Sequence, residues 1–265
     1  MTRWNNLISI KNSVIGMIHL KPLPGSPLFD GNLEEVIKFS LADAAALIKG
    51  GVHGLMMENF GDVPFSAGQV SGETVAVMTR VAVEIRRLTS LPLGINVLRN
   101  DALAAMSIAM ASDADFIRVN VLSGARVTDQ GLIQGQAFEL MRRRKSLGLE
   151  KIAVLADVDV KHSAPLAVRP LKDEVEDTIL RGLADGVVVS GAGTGKVTDP
   201  AKVIEVAKHS SGRPVFLGSG VTTENVKSYS GVATGFIVGS HFKLNGKLEG
   251  PVDPDRVRAF VANLK

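Results

Sequence analysis

Two carboxylic acids and an amine occupy alternate positions in one apolar run, Leu155-Ala156-Asp157-Val158-Asp159-Val160-Lys161. Alternate residues of a strand share a face. Ala153, Leu155, Asp157, Asp159 and Lys161 therefore fall together, while Val154, Ala156, Val158 and Val160 face the other way. A buried carboxylate is costly unless it is paired. Asp157 and Asp159 call for Lys161, for Arg118, or for a metal ion. The Lys161 amine suits a Schiff base if desolvation lowers its pKa, or an acid or electrostatic clamp. Asp157 or Glu58 suits a general base. The competing reading is a salt-bridged interior without chemistry.

Other apolar runs end in polar groups of the same kind. Phe116–Leu122 carries Arg118 and Asn120, Leu93–Leu98 carries Asn96 and is followed by the polar turn Arg99-Asn100-Asp101, and earlier runs end in Glu58-Asn59 and His19. Asn96, Arg118 and Asn120 suit the orientation of hydroxyls or a carboxylate, and His19 suits proton transfer or metal ligation. His19, Glu58, Asp157 and Asp159 are suitable ligand types for a divalent metal. No HxH or HExxH spacing accompanies them, so no metal or other cofactor is assigned. Ser190-Gly191 is followed by Gly193-Thr194-Gly195-Lys196. The P-loop spacing is absent, so this segment reads as a lid or an extra phosphate donor, with Ser190 and Thr194 as substrate contacts. Nucleotide handling is the weaker alternative there.

Two further runs end in glycine-rich turns. Val215-Phe216-Leu217 enters Gly218-Ser219-Gly220, and Gly235-Phe236-Ile237-Val238 enters Gly239-Ser240. Glycine lets backbone N–H groups approach an oxyanion closely, and the serines add hydroxyl donors. Two consecutive turns of this kind late in a chain of this length fit the phosphate cradle of an eight-stranded β/α barrel.

The elements that must position these groups alternate eight times. Strands are expected at Val14–Leu20, Val52–Asn59, Leu93–Leu98, Phe116–Leu122, Ile152–Val160, Gly186–Ser190, Pro214–Leu217 and Phe236–Val238. Helices are expected at Leu33–Lys49, Ser71–Thr89, Ala102–Ala111, Gly131–Leu147, Leu171–Leu183, Pro200–His209, Glu224–Tyr229 and Asp255–Leu264. Sequential βα repetition implies a parallel sheet. Eight units within 265 residues imply an α/β fold of one domain, residues 1–265, closed as a (β/α)8 TIM barrel. In such a barrel the strand C-termini carry the site.

Composition narrows the function classes. The chain has no cysteine, which excludes thiolate catalysis and disulfides. No apolar run reaches the ~20 residues of a transmembrane helix, and the first residues lack a signal-peptide core. A cytoplasmic protein is expected. The net charge of +3 is dispersed. Its one dense run, Arg142-Arg143-Arg144-Lys145, reads as a solvated helix end rather than a nucleic-acid site. The expected partner is a phosphorylated small molecule. A homo-oligomer is compatible with the fold, without an interface signature.

Several segments together resemble the BtpA/SgcQ family of barrel proteins. They are Gly16-Met17-Ile18-His19-Leu20-Lys21-Pro22-Leu23-Pro24-Gly25-Ser26-Pro27, Glu58-Asn59, Gly94-Ile95-Asn96-Val97-Leu98-Arg99-Asn100-Asp101, Phe116-Ile117-Arg118-Val119-Asn120-Val121 and Asp129-Gln130-Gly131. Leu155 through His162, the Val189-Ser190-Gly191 and Thr194-Gly195 turn, and the two glycine turns complete the likeness, which spans about residues 14 to 258. The resemblance implies a barrel related to phosphate-binding barrels. It implies no single reaction. One branch is associated with photosystem I biogenesis as a non-catalytic assembly factor. Another resembles proteins encoded beside sugar-uptake and sugar-phosphate genes. The reading favoured is an enzyme with sugar-phosphate isomerase, epimerase or lyase chemistry; the alternative is the assembly factor.

Overall fold

The computed structural model describes residues 1–191, 193 and 197–264. Helix α1 (Arg3–Ser9) precedes β1 (Ser13–His19). Then α2 (Leu33–Gly50), β2 (Gly54–Glu58), α3 (Gly72–Leu88), β3 (Leu93–Asn96), α4 (Ala102–Ala111) and β4 (Phe116–Val119) alternate. A hairpin follows, β5 (Ala125–Thr128) and β6 (Gly131–Gln134), before α5 (Ala137–Ser146) and β7 (Ala153–Val158). Next come β8 (Ser163–Pro165), α6 (Leu171–Glu176), β9 (Gly186–Ser190) and α7 (Pro200–His209). The last elements are β10 (Val215–Gly218), a 3-10 turn over Val226–Tyr229, β11 (Gly235–Val238) and α8 (Pro254–Ala262).

Eight strands close into a parallel barrel in the order β1-β11-β10-β9-β7-β4-β3-β2. Every residue of these strands is buried. Burial on both faces explains why they read as continuous Val, Ile, Leu and Met runs. Ile15, Met17, Met56, Phe116, Leu155, Val188, Phe216 and Ile237 fill the interior. Val14, Ile18, Leu55, Met57, Ile117 and Val154 belong to the second core, which the helices cover. Local signals set the helix ends. The Asp101 carboxylate accepts from the Ala104 N–H at 2.9 Å to cap α4. Asp199 and Asp253 cap α7 and α8, each followed by a helix-starting proline.

Helix α1 closes the barrel floor. Trp4 and Leu7 are buried against the interior, with the indole 5.4 Å from the Phe116 ring and 5.9 Å from the Phe216 ring. Arg3 fastens this helix by donating to Asp113 at 2.6 Å and Asp115 at 2.8 Å.

Three expected helices are corrected. The segment Gly131–Leu147 is not one helix: Gly131 takes φ +95° and turns the chain into β6, and α5 begins only at Ala137. The 171–183 helix changes to a π turn over Asp177–Arg181, and Glu224–Tyr229 shortens to the 3-10 turn. Strands β6, β5 and β8 form a separate antiparallel sheet. Arg126 ties this sheet to the barrel. It donates to Ser163 Oγ at 2.7 Å, Asp159 Oδ1 at 2.7 Å and Glu174 Oε1 at 3.2 Å.

Candidate active site

Strand register builds the site floor. Neighbouring strands align His19 with Glu58, Glu58 with Asn96, Asn96 with Arg118, and Arg118 with Leu155. One polar row therefore runs round half the barrel just below its mouth. Arg118 then reaches Asp157, two residues past its register partner. Its Nε and Nη2 donate to Oδ1 and Oδ2 at 2.7 and 2.8 Å. Both side chains are buried, so the bidentate geometry compensates the desolvation of two charges. Asn120 donates to the same carboxylate at 3.3 Å. Asn96 donates to the Arg118 carbonyl at 3.0 Å and to Asn120 Oδ1 at 3.2 Å.

Two cavities open above this row. A small one, about 40 Å³, lies between His19, Lys161 and the turns Ser219-Gly220 and Gly239-Ser240. A large one, about 580 Å³, is lined by Phe65, Leu98, Arg99, Asn120, Gln130 and His162 among others. Glu58, Phe60, Arg118 and Lys161 line both. They form the junction between a tight polar lobe and a roomy one.

The second half of the strand that carries Asp157 departs from alternation. β7 ends at Val158, and Asp159 takes a left-handed φ of +47°. Its side chain turns out of the barrel, accepting from Lys202 Nζ at 2.7 Å and from Arg126. Asp159 thus leaves the face expected for it and joins the network that anchors the small sheet. Lys161 returns to the interior, where Nζ donates to Ser219 Oγ at 3.2 Å. Burial pushes the Lys161 amine below the usual lysine value, and the neighbouring Arg118 guanidinium pushes the same way; Glu58 and Asp157 oppose them.

His19 is buried, with Nε2 3.9 Å from Glu58 Oε1 and its ring 4.9 Å from Phe60. Burial first, then the charges of Lys243, Lys161 and Arg118, lower its pKa to about 3. It is a neutral ring at physiological pH. Gly239 is required beside it: a Cβ there would lie 2.7 Å from His19 Cε1. Ser219 and Gly220 both adopt positive φ, +66° and +65°. Asn225 fixes this turn by donating to the Gly220 carbonyl at 2.8 Å.

The structure therefore brings His19, Glu58, Arg118, Lys161, Ser219, Gly220, Gly239 and Ser240 together, with Asn120 in the large lobe. Asp157 and Asn96 lie behind this surface and hold Arg118 and Asn120. Gly218 and the buried Ser190 are register partners and line neither cavity. Thr194 lies outside the described residues. Among the described residues no three His, Asp or Glu side chains gather in a metal-ligating group. The four candidate ligands of the sequence do not gather: Arg118 holds Asp157, and Lys202 holds Asp159.

Comparison with known proteins adds the lineage. The BtpA family profile matches residues 10–265. The chain belongs to the BtpA family. The photosystem I biogenesis protein BtpA of Synechocystis is 46% identical over 250 residues, covering 94% of this chain and 87% of that one. An uncharacterized protein of Thermococcus kodakarensis is 49% identical over 251 residues, covering 95% and 94%. Among solved structures, thiamine phosphate pyrophosphorylase of Pyrococcus furiosus superposes with a TM-score of 0.58 at 12% identity, covering 96% and 95%. N-(5'-phosphoribosyl)anthranilate isomerase of Pyrococcus furiosus gives 0.56 at 15%, covering 96% and 98%. These structures establish a shared TIM-barrel fold. No helix among the described residues is long and apolar enough to cross a membrane.

Residues that alternation does not expose also line the cavities of this BtpA-family barrel. Phe60 follows the Glu58-Asn59 strand end and lines both lobes. Arg99 lies beyond the third strand, and Asp129 and Gln130 reach the large lobe from the β5–β6 turn. The Arg99-Asn100-Asp101 turn was visible as a polar cluster. The hairpin had no comparable signal, because each of its strands is only four residues long.

Proposed function

We propose that this chain is an enzyme acting on a small phosphorylated metabolite, with isomerase, epimerase or lyase chemistry on a sugar phosphate. One observation carries the reading: Lys161, Glu58 and Arg118 stand where a tight lobe between two glycine turns meets a lobe of about 580 Å³. In this reading the phosphate occupies the small lobe, bound by Ser219, Gly220, Gly239 and Ser240. The carbon skeleton extends into the large lobe. The carbon next to the phosphorylated end then passes Lys161, whose amine burial favours in the neutral, reactive form. Glu58 supplies a carboxylate for proton transfer, and neutral His19 a hydrogen-bonding ring.

A thermal-shift panel of inorganic phosphate, sulfate and sugar phosphates, with and without divalent metal, tests this. A ligand at a hundred times its Kd adds about 2.7 kcal/mol to folding. Protection by one sugar phosphate, lost in Gly239→Leu, supports the reading; protection by no phosphorylated compound removes it.

The 46% identity to a photosystem I biogenesis protein favours one second reading, an assembly factor that uses the barrel as a scaffold. That reading requires a protein partner whose capture is unchanged by Lys161→Ala. Loss of partner capture in Lys161→Ala, or no partner beside clear ligand protection, counts against it.

A further inference from the structure

Arg99 is a buried cation that, among the described residues, no carboxylate pairs with directly. Its side chain lines the large lobe and the residue is only 5% exposed. Among the described residues its side chain makes one hydrogen bond, from Nη2 to the Lys161 carbonyl oxygen at 2.6 Å, and no ion pair. The other buried guanidiniums of this face are clamped: Arg118 by Asp157, Arg126 by Asp159 and Glu174. The charges of Asp157, Asp129 and Glu58 act on Arg99 from a distance, but none of the three pairs with it: Asp157 belongs to Arg118, Asp129 accepts from Gln130, and Glu58 lies 3.9 Å from the neutral His19 ring. Burying a guanidinium is unfavourable unless a counter-charge meets it. Its planar fork matches a carboxylate or a phosphate.

We propose that Arg99 binds a second anionic group of the substrate, so that the substrate is a phosphorylated acid or a bisphosphate rather than a neutral-ended sugar phosphate. The inference rests on the phosphate reading given above. It places one anion in the glycine-turn lobe, the other at Arg99, and the carbons between them beside Lys161. A cavity of about 580 Å³ has room for a six-carbon chain. The bond from Arg99 to the Lys161 carbonyl also links the occupant of the large lobe to the backbone that carries the amine.

Calorimetric titration of the full-length protein with three probes tests the inference. They are 6-phosphogluconate (phosphate and carboxylate), fructose 1,6-bisphosphate (two phosphates) and glucitol 6-phosphate (phosphate alone). At least one doubly charged probe binds tenfold or more tightly than glucitol 6-phosphate, and which one does so distinguishes carboxylate from phosphate. Arg99→Gln abolishes that advantage while inorganic phosphate still protects the variant from unfolding; Arg99→Lys restores part of it and serves if the glutamine variant does not fold. Equal affinities in the wild type, an advantage that survives Arg99→Gln, or phosphate protection with no binding of any probe overturns the two-anion inference alone. Failure of inorganic phosphate to protect the wild type overturns the phosphate site and this inference with it.

Discussion

Arg118 and Asp157 face each other across β4 and β7 through two parallel hydrogen bonds of 2.7 and 2.8 Å, with neither side chain open to water. Removing one partner strands the other as an uncompensated buried charge. Asp157→Ala is expected to lose about 3–5 kcal/mol of stability in urea unfolding. The double variant Arg118→Met, Asp157→Leu is expected to recover most of that loss while abolishing ligand protection. A double variant as unstable as the single one contradicts this account.

His19 gives stability a defined pH dependence. Its folded pKa of about 3 lies below the unfolded value near 6.5, so the unfolded chain binds the extra proton between those limits. Stability therefore rises with pH through this window and is lost as pH falls from about 6.5 towards 3. The slope from this one group is at most about 1.4 kcal/mol per pH unit. His19→Asn should flatten that part of the unfolding profile. An unchanged slope means the ring does not titrate as its surroundings dictate.

If the chain is the enzyme proposed above, Lys161 sets the pH behaviour of its turnover. Burial lowers its pKa, so the neutral amine accumulates at a lower pH than in a free lysine. With a substrate found by the thermal-shift panel, kcat/KM is expected to rise with pH as this amine deprotonates. Lys161→Ala should abolish turnover and leave the fold intact by circular dichroism. Borohydride reduction with bound substrate, followed by mass spectrometry, separates two roles: a covalent adduct marks a Schiff base, and its absence with retained turnover marks proton transfer. Turnover in Lys161→Ala removes the residue from the mechanism.

Gly239 leaves no room for bulk beside His19 in the small lobe. Because a Cβ would meet His19 at 2.7 Å, Gly239→Leu is expected to displace the ring and fill the space assigned to phosphate. Phosphate protection in thermal unfolding should vanish. Retained protection would move the phosphate elsewhere.

The barrel was legible because parallel strands buried on both faces leave long apolar runs, and because Asp199-Pro200 and Asp253-Pro254 mark helix starts without tertiary help. The polar row was legible for the same reason: Glu58, Asn96 and Arg118 sit within regular strands whose register is fixed. Legibility failed where regular backbone stops. At Asp159 a single left-handed residue ends the alternation and sends the carboxylate to Lys202, which no period-two argument reveals. The small sheet was hidden because Val127 and Leu132 stay exposed and Arg126 supplies its anchor through charge. Arg99 stands in a polar turn of the sequence, but that no described carboxylate pairs with it directly is a fact of packing.

Trp4 is the chain's one tryptophan, and it plugs the end of the barrel opposite the glycine turns, between Phe116 and Phe216. The chain therefore carries a built-in optical reporter with a single address. Its emission is expected to follow the seating of α1 against the strand N-termini and to stay constant while small molecules enter the mouth. A fluorescence change on adding a ligand would mean that the far end of the barrel had responded.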